Sequence, residues 1–234
     1  MKLTLLGIWG PFPIGGGGCS SYLVEDGDTK ILLDCGSGAM SRFRALYPGR
    51  QSVDAIVLSH MHADHAGEIH LFRYMHEAYR AASVPFPPLP VFSPETETLM
   101  YDVFDPIRTY DGFETKIGSL TLRFTEVQHA VRTTAVRITD AAGHSLFYTA
   151  DTGWFDGLVE AAKDADLLLA DACLMITPKG PAANHMSGVQ VGKLCELANC
   201  KRAVLTHRFG GGSDALPYCD GPCEYAVEGA VYEI

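Results

Sequence analysis

Leu58-Ser59-His60-Met61-His62-Ala63-Asp64-His65-Ala66-Gly67 places four potential metal ligands, three imidazoles and a carboxylate, within six residues. The run Val53 to Leu58 before it is short, apolar and β-branched, the pattern of a buried strand. Gly67 to Arg80 after it reads as a helix. The ligand types therefore fall where a strand ends and a helix begins. Residues i and i+2 of an extended segment face one side, so His60 and His62 can converge on one ion. Asp64 and His65 follow the turn and can reach a second position. Imidazole with carboxylate suits Zn, Mn or Fe better than Ca or Mg. Taken alone, the stretch also fits a single structural zinc site or a histidine-rich turn without function.

Three later residues each end a strand-like run. His129 follows the alternating Leu120-Thr121-Leu122-Arg123-Phe124-Thr125-Glu126-Val127, Asp151 follows Ser145-Leu146-Phe147-Tyr148-Thr149-Ala150, and His207 follows Ala203-Val204-Leu205-Thr206. Singly, each is weak evidence, because a histidine at a strand end is usually an ordinary polar residue. Together with the first stretch they resemble the metallo-β-lactamase superfamily, whose pattern is His-x-His-x-Asp-His followed by His, Asp and His. The resemblance covers nearly the whole chain. It implies that His60, His62 and His129 bind one metal ion, that Asp64, His65 and His207 bind another, and that Asp151 bridges them. Two divalent ions are implied, zinc first, with Mn or Fe as alternatives. The implied fold class is α/β: a four-layer αββα sandwich of two mixed sheets with helices on both outer faces.

At 234 residues, one domain spanning 1–234 is expected. Apolar residues make up 47% of the chain and the mean hydropathy is close to zero, which suits a soluble globular protein. No apolar run approaches membrane-span length, and Met1 to Gly10 reads as a first strand, not a signal peptide. The net charge of −10 argues against a broad nucleic-acid surface. Seven cysteines lie scattered. Cys35, Cys173 and Cys195 read as reduced core thiols. Cys219 and Cys223 could pair or bind metal, although a reduced pair in a turn is the plainer reading. A cytoplasmic compartment is the default.

Along the chain, residues 3–8, Tyr22–Glu25 and Lys30–Asp34 read as strands, with a Gly/Pro-rich loop from Pro11 to Gly18. That loop lacks the Lys-Ser/Thr ending of a P-loop and is expected beside the active-site face. Asp34-Cys35-Gly36 resembles the superfamily's Asp-x-Gly. Asp34 is expected to serve as a structural residue or as partner to the outer ring nitrogen of a metal-bound histidine. A helix should end near Tyr47. His70 and His76 read as ordinary helix residues, and Phe72, Tyr74, Met75 and Tyr79 as core and pocket wall. Val84 to Pro90 is a stiff connector. A helix is expected over Pro94–Phe104, capped by Ser93, then strands from Ile117 to Thr149. Helices over Trp154–Ala162 and Ser187–Ala198, strands over Asp166–Ala170 and Arg202–Thr206, and a last strand over Tyr225–Glu233 complete the reading.

Asn184-His185-Met186-Ser187 resembles the His-Ser-Thr segment of the ribonuclease Z-like branch, with Met186 in place of the middle residue. There the histidine donates a proton or contacts phosphate. His185 precedes a helix N-terminus, which favours anions, although a surface-loop histidine would look the same. Ribonuclease Z itself is not expected. Its transfer-RNA-gripping arm lies between the counterparts of His129 and Asp151, and 22 positions (151 − 129) leave room only for a hairpin. His62 also argues against the flavodiiron branch, which has Glu there. The expected function is a phosphodiesterase acting on a small cyclic or short nucleotide-like phosphodiester, with Asp64 and His185 as catalytic residues. The alternatives are a carboxylic ester, lactone or β-lactam hydrolase, and a catalytically idle metal-binding or partner-binding protein. The expected partner is a small anionic substrate; transfer RNA and a membrane are not expected, and a homodimer is compatible with the resemblance.

Overall fold

The computed structural model describes residues 1–49, 52–174, 184–209 and 222–234. Its first half runs β1 (Lys2–Gly7), β2 (Trp9–Gly10), β3 (Ser21–Asp26), β4 (Thr29–Leu33), α1 (Ala39–Leu46), β5 (Ala55–Val57), α2 (Ala63–Ala66), α3 (Ile69–Ala81), β6 (Leu89–Ser93) and β7 (Phe104–Arg108). The second runs β8 (Glu114–Ile117), β9 (Leu120–Glu126), β10 (Thr134–Thr139), β11 (Ser145–Tyr148), α4 (Gly157–Ala162), β12 (Leu167–Asp171), α5 (Gly188–Leu197), β13 (Ala203–Thr206), β14 (Arg208–Phe209), β15 (Cys223–Tyr225) and β16 (Val231–Glu233). One seven-stranded sheet has the order β16-β1-β3-β4-β5-β6-β7 and the other β15-β13-β12-β11-β10-β9-β8. Both mix parallel and antiparallel pairs.

Alternation along the strands sorts the apolar side chains into three layers. Tyr22, Val24, Ile31 and Leu33 join Leu122, Phe124, Leu167 and Leu169 in the layer between the sheets. Leu23, Leu32 and Ile56 face the other way, against Phe43 of α1 and Phe72 of α3. Leu168 and Ala170 face Leu158 of α4 and Leu194 of α5. Both faces of the central strands are thus covered, which is why β12 and β13 are buried throughout and apolar up to their last residues, Asp171 and Thr206. The result is the four-layer αββα sandwich.

Three local expectations need correction. Pro94–Phe104 is not a helix: only Glu97–Leu99 makes a 3-10 turn. Ser93 ends β6, where its Oγ accepts the Glu95 amide, and Phe104 opens the parallel edge strand β7. The expected last strand is two strands, one in each sheet. β15 pairs with β13 and β16 with β1, and the turn between them passes through Gly229 at φ 80°. The helix expected from Trp154 starts only at Gly157. Between His129 and Asp151 the chain makes the β10–β11 hairpin. Cys35 and Cys195 are buried free thiols, whereas Cys173 is half-buried and lines a cleft. Cys223 is disulfide-bonded, against the plainer reading of a reduced pair; Cys219 lies outside the described residues. No helix among the described residues is long and apolar enough to cross a membrane.

Candidate metal centre

The ends of six strands deliver the site to one edge of the sandwich. Asp34 follows β4, His60 to His65 follow β5, and His129 follows β9; Asp151 follows β11, Asp171 ends β12 and His207 follows β13. At Asp34, Ala150 and His207 the backbone is left-handed, with φ of 54–55°. This conformation turns the chain sharply as it leaves the strand, and Asp and His tolerate it better than most residues.

All seven residues expected as ligands converge. His60 Nε2 and His129 Nε2 lie 3.0 and 3.2 Å from His62 Nδ1. Asp151 Oδ2 lies 3.8 Å from His60 Nε2 and 3.9 Å from His129 Nε2. On the other side, His207 Nε2 is 3.0 Å from Asp64 Oδ2 and 3.2 Å from Asp151 Oδ2, and His65 Nε2 is 3.3 Å from Asp151 Oδ1. Asp151 thus belongs to both groups. The spacing suits a metal: zinc–nitrogen bonds of about 2.0–2.1 Å in a tetrahedron set donor atoms about 3.3 Å apart. The donors also lack other work. His65 Nε2 and Asp151 Oδ1 are buried and hydrogen-bonded to nothing among the described residues. Residues, spacing and unpartnered donors together fit divalent metal ions.

The outer nitrogens are held by the fold. Asp34, 0% exposed, accepts hydrogen bonds from Ser59 N at 2.7 Å, Ser59 Oγ at 2.9 Å and the Tyr148 hydroxyl at 2.7 Å, and meets His65 Nδ1 at 2.7 Å. Ser59 Oγ also meets His60 Nδ1 at 3.0 Å. His129 Nδ1 donates to the Asn184 carbonyl at 3.0 Å, which leaves Nε2 free to face the centre. Burial works against charge on His65, but the Asp151 and Asp34 carboxylates outweigh it and raise the pKa to about 10. Burial also opposes charge on Asp151, yet His207 and His65 hold its pKa well below the usual carboxylate range. His60, buried and beside His65, is held low.

His185 joins the same edge without belonging to the seven. Its Nδ1 lies 2.8 Å from Asp171 Oδ2, and its ring stacks on His207 with centroids 5.2 Å apart. Burial opposes its protonation, but the Asp171 carboxylate outweighs that and raises its pKa. The segment is pinned by the Leu174 amide on the Met186 carbonyl at 3.0 Å. A reciprocal capping box between Ser187 and Gln190 then opens α5. Pro11, His62, Asp64, Asp151, Cys173, Leu174, His185, His207 and Phe209 line a cleft of about 520 Å³. Pro11 puts the Gly/Pro-rich loop on this face. His70 and His76 lie outside it; His76 is buried against Ser52.

Two contributors, Asp171 and Gly10, were not singled out from the sequence, and the packing role of a third, Gly36, was not foreseen. Asp171 ends an apolar run just as Asp151 follows one, so the strand-end signal was present. Gly10 left no such signal, and Gly36 was marked only by its place in the Asp-x-Gly stretch. A Cβ on Gly10 would stand 2.0 Å from His207 Nε2, and one on Gly36 would stand 2.1 Å from the Asp64 carbonyl. The Asp-x-Gly glycine is thus the floor on which the Asp64 backbone rests.

Comparison with known proteins agrees with this geometry. Residues 29–208 match the β-lactamase superfamily domain. The probable metallo-hydrolase YhfI of Bacillus subtilis is 30% identical over 245 residues, with both chains covered in full. The crystal structure of the metallo-β-lactamase fold protein YhfI from that organism superposes with a TM-score of 0.89 at 27% identity, covering 99% of this chain and 98% of that one. The short form of human tRNase Z gives 0.77 at 18% identity, covering 100% and 99%. A diphosphatase of the PhnP family gives 0.76 at 18%, covering 100% and 97%. At these identities the last two show a shared fold. The chain belongs to the β-lactamase superfamily and has the metallo-β-lactamase fold.

Proposed function

We propose that this protein is a binuclear metallo-hydrolase that cleaves a small cyclic or short nucleotide-like phosphodiester. His60, His62 and His129 would hold one divalent ion, Asp64, His65 and His207 the other, and Asp151 would bridge them. Zinc suits this donor set. A bound divalent pair supplies Lewis acidity and makes a water nucleophile available at neutral pH. The chain supplies the rest. Asp64 orients the attacking water through its carboxylate. Asp34 and Ser59 lock the His65 and His60 rings, and the Asn184 carbonyl locks His129. The YhfI relative is named a probable metallo-hydrolase, which supports hydrolysis as the reaction class. The tRNase Z and PhnP-family structures, named for phosphate chemistry, are consistent with the phosphodiester reading through fold alone.

One observation carries the choice of phosphodiester: the His185–Asp171 pair at the cleft wall. With Nδ1 held by Asp171 at 2.8 Å, Nε2 is the nitrogen left to donate to a substrate oxygen. A general acid of this kind typically contributes about 10²–10⁴-fold. His185→Ala should therefore keep metal content and fold, yet lose about that much kcat on a phosphodiester with a poor leaving group. The loss should shrink for p-nitrophenolate, which needs little protonation. A role in binding alone would raise KM and spare kcat. Wild-type kcat/KM in His185→Ala on the poor-leaving-group substrate would reject the assignment, and absence of metal-dependent turnover on any phosphodiester would reject the function.

A second reading is hydrolysis of a carboxylic ester, lactone or β-lactam. The cleft favours it in one respect: Pro11, Leu174 and Phe209 give it apolar wall, and none of its lining residues among the described ones is Lys or Arg. Under this reading His185→Ala would leave turnover of the ester intact.

A further inference from the structure

Helix α5 ends in a motif that sets two cysteines side by side. Asn199 is left-handed at φ 55°. Its amide bonds to the Glu196 carbonyl at 3.1 Å, and the Cys200 amide bonds to the Cys195 carbonyl at 2.9 Å. These two bonds define the Schellman ending, in which the residues at the two ends of the longer bond pack against each other. Here both are cysteines. Given that 2.9 Å bond and standard backbone lengths, their Cα atoms are at most about 6.8 Å apart. Disulfides usually span about 4.4–6.8 Å.

The side chains pack in one buried layer as well as the backbones. Cys195 Sγ also rests on the Cys200 carbonyl at 3.6 Å, and Cys200 Sγ on the Ala162 carbonyl at 3.4 Å. Both are free thiols, 1% and 8% exposed. Both line a cavity of about 360 Å³ with Lys193, Glu196, Asn199 and Pro222, and among the described residues none of that cavity lines the histidine cleft. An opening of this size admits a small oxidant. Cys223, already disulfide-bonded, packs against the same apolar layer.

We propose that Cys195 and Cys200 form a reversible redox pair that closes to a disulfide when a peroxide enters this cavity. The Cys195 thiolate attacks one peroxide oxygen, the O–O bond breaks, and Cys195 becomes a sulfenic acid as hydroxide leaves. The Cys200 sulfur then attacks the sulfenic sulfur, the S–O bond breaks, and water leaves. Two thiols have lost two hydrogens and two electrons, and hydrogen peroxide has become two waters. Cys195 is the attacking sulfur because its contact with Cys200 holds its thiol below the ordinary range, in spite of burial, while the same contact drives Cys200 up.

The sequence makes the test simple. Trypsin cuts after Lys193 and Lys201, so both cysteines fall in the peptide Leu194–Lys201. The full chain is treated with hydrogen peroxide, quenched in acid, alkylated after denaturation, digested and weighed. The expected peptide is lighter by two hydrogens and carries no alkyl group; after dithiothreitol it takes two. In Cys200→Ser the reaction should stop at the Cys195 sulfenic acid, which dimedone traps. A wild-type peptide that still takes two alkyl groups when Cys173 is already oxidised would overturn the proposal. So would a peptide carrying sulfinic acid on either cysteine in place of the disulfide. The wild-type measurement decides even if Cys200→Ser fails to fold.

Discussion

Gly10→Ala is the most demanding test of how the second half of the centre is held. Gly10 pairs with Phe209 between β2 and β14, immediately beside His207. An added Cβ would stand 2.0 Å from His207 Nε2 and 2.3 and 2.4 Å from the adjoining ring carbons. Non-bonded heavy atoms settle at about 3.5–4.0 Å, so the ring or β2 must move by about 1.5 Å. Nε2 is the atom that meets Asp64 and Asp151 at 3.0 and 3.2 Å, so the displacement falls on the donor itself. A misplacement of about 1 Å can cost about 10²-fold in rate. The overpacking costs about 1–3 kcal/mol, which lowers Tm by about 2–4 °C per kcal/mol in a chain of this size. The variant should fold, bind the first ion, lose the second, and lose at least about 10²-fold in kcat/KM. Elemental analysis after zinc dialysis, a thermal melt and turnover of bis(p-nitrophenyl) phosphate read the three effects. Gly15→Ala, in the loop that follows β2 and with nothing within 4 Å of its Cβ, is the control and should match wild type. Wild-type metal content and kcat/KM within about twofold in Gly10→Ala, well inside that expected loss, would show that the close packing of Gly10 on His207 plays no part.

Asp151→Ala should lose metal from both positions together with activity, whereas His207→Ala should deplete only one; full occupancy of both in Asp151→Ala would disprove the bridge. Asp34→Ala leaves the Ser59 amide, the Ser59 hydroxyl, the Tyr148 hydroxyl and His65 Nδ1 without their acceptor. At about 1–3 kcal/mol per buried unsatisfied group, urea unfolding should show a loss of more than about 4 kcal/mol, and a loss below about 1 kcal/mol would mean that the cluster reorganises. His76, 2% exposed, is held by burial at a pKa of about 4, against 6.5 for the free side chain. The unfolded chain therefore binds the extra proton first, so stability is fully present above about pH 6.5 and falls as the pH drops toward about 4, by up to about 3 kcal/mol. His76→Leu should flatten that part of the stability–pH curve, and an unchanged slope would remove His76 as its source.

The parts of the fold that the sequence made legible are those with a local period. β9 alternates Leu120, Leu122 and Phe124 inward with Thr121, Arg123 and Thr125 outward, and α5 announces itself through Ser187 and Gln190. The seven proposed ligand positions were legible because their order, each after a strand-like run, resembles the superfamily's His-x-His-x-Asp-His, His, Asp, His pattern. What was not legible depends on contacts between distant segments. Tyr225–Glu233 reads as one strand, since nothing in its residues tells that Cys223–Tyr225 belongs to one sheet and Val231–Glu233 to the other. Pro94–Phe104 has a good cap and a proline at the first position, yet the open edge of β6 recruits Phe104 as a strand. Gly10 carries no period at all; its role exists only because His207 arrives across β14.

The same long-range logic explains why the centre sits between two sheets and not on one. Asp34 belongs to the first sheet and steadies His65, but the Tyr148 hydroxyl that completes its shell comes from the second. Tyr22 of the first sheet bonds Thr206 Oγ1 of the second at 2.8 Å, one residue before His207. The two tyrosine rings meet edge to face, 5.2 Å apart. A polar belt thus runs through an otherwise apolar interlayer directly beneath the ligands. Every hydroxyl in it has a partner, so the belt fixes the register of one sheet against the other where an apolar contact would allow sliding. A shift of the sheets by a fraction of the 3.0–3.9 Å donor spacings would separate Asp151, His207 and Asp171 from Asp64, His60 and His65. The geometry of the candidate metal centre is therefore a property of the interface between the two halves, and substitutions in the belt should alter metal affinity without touching a proposed ligand.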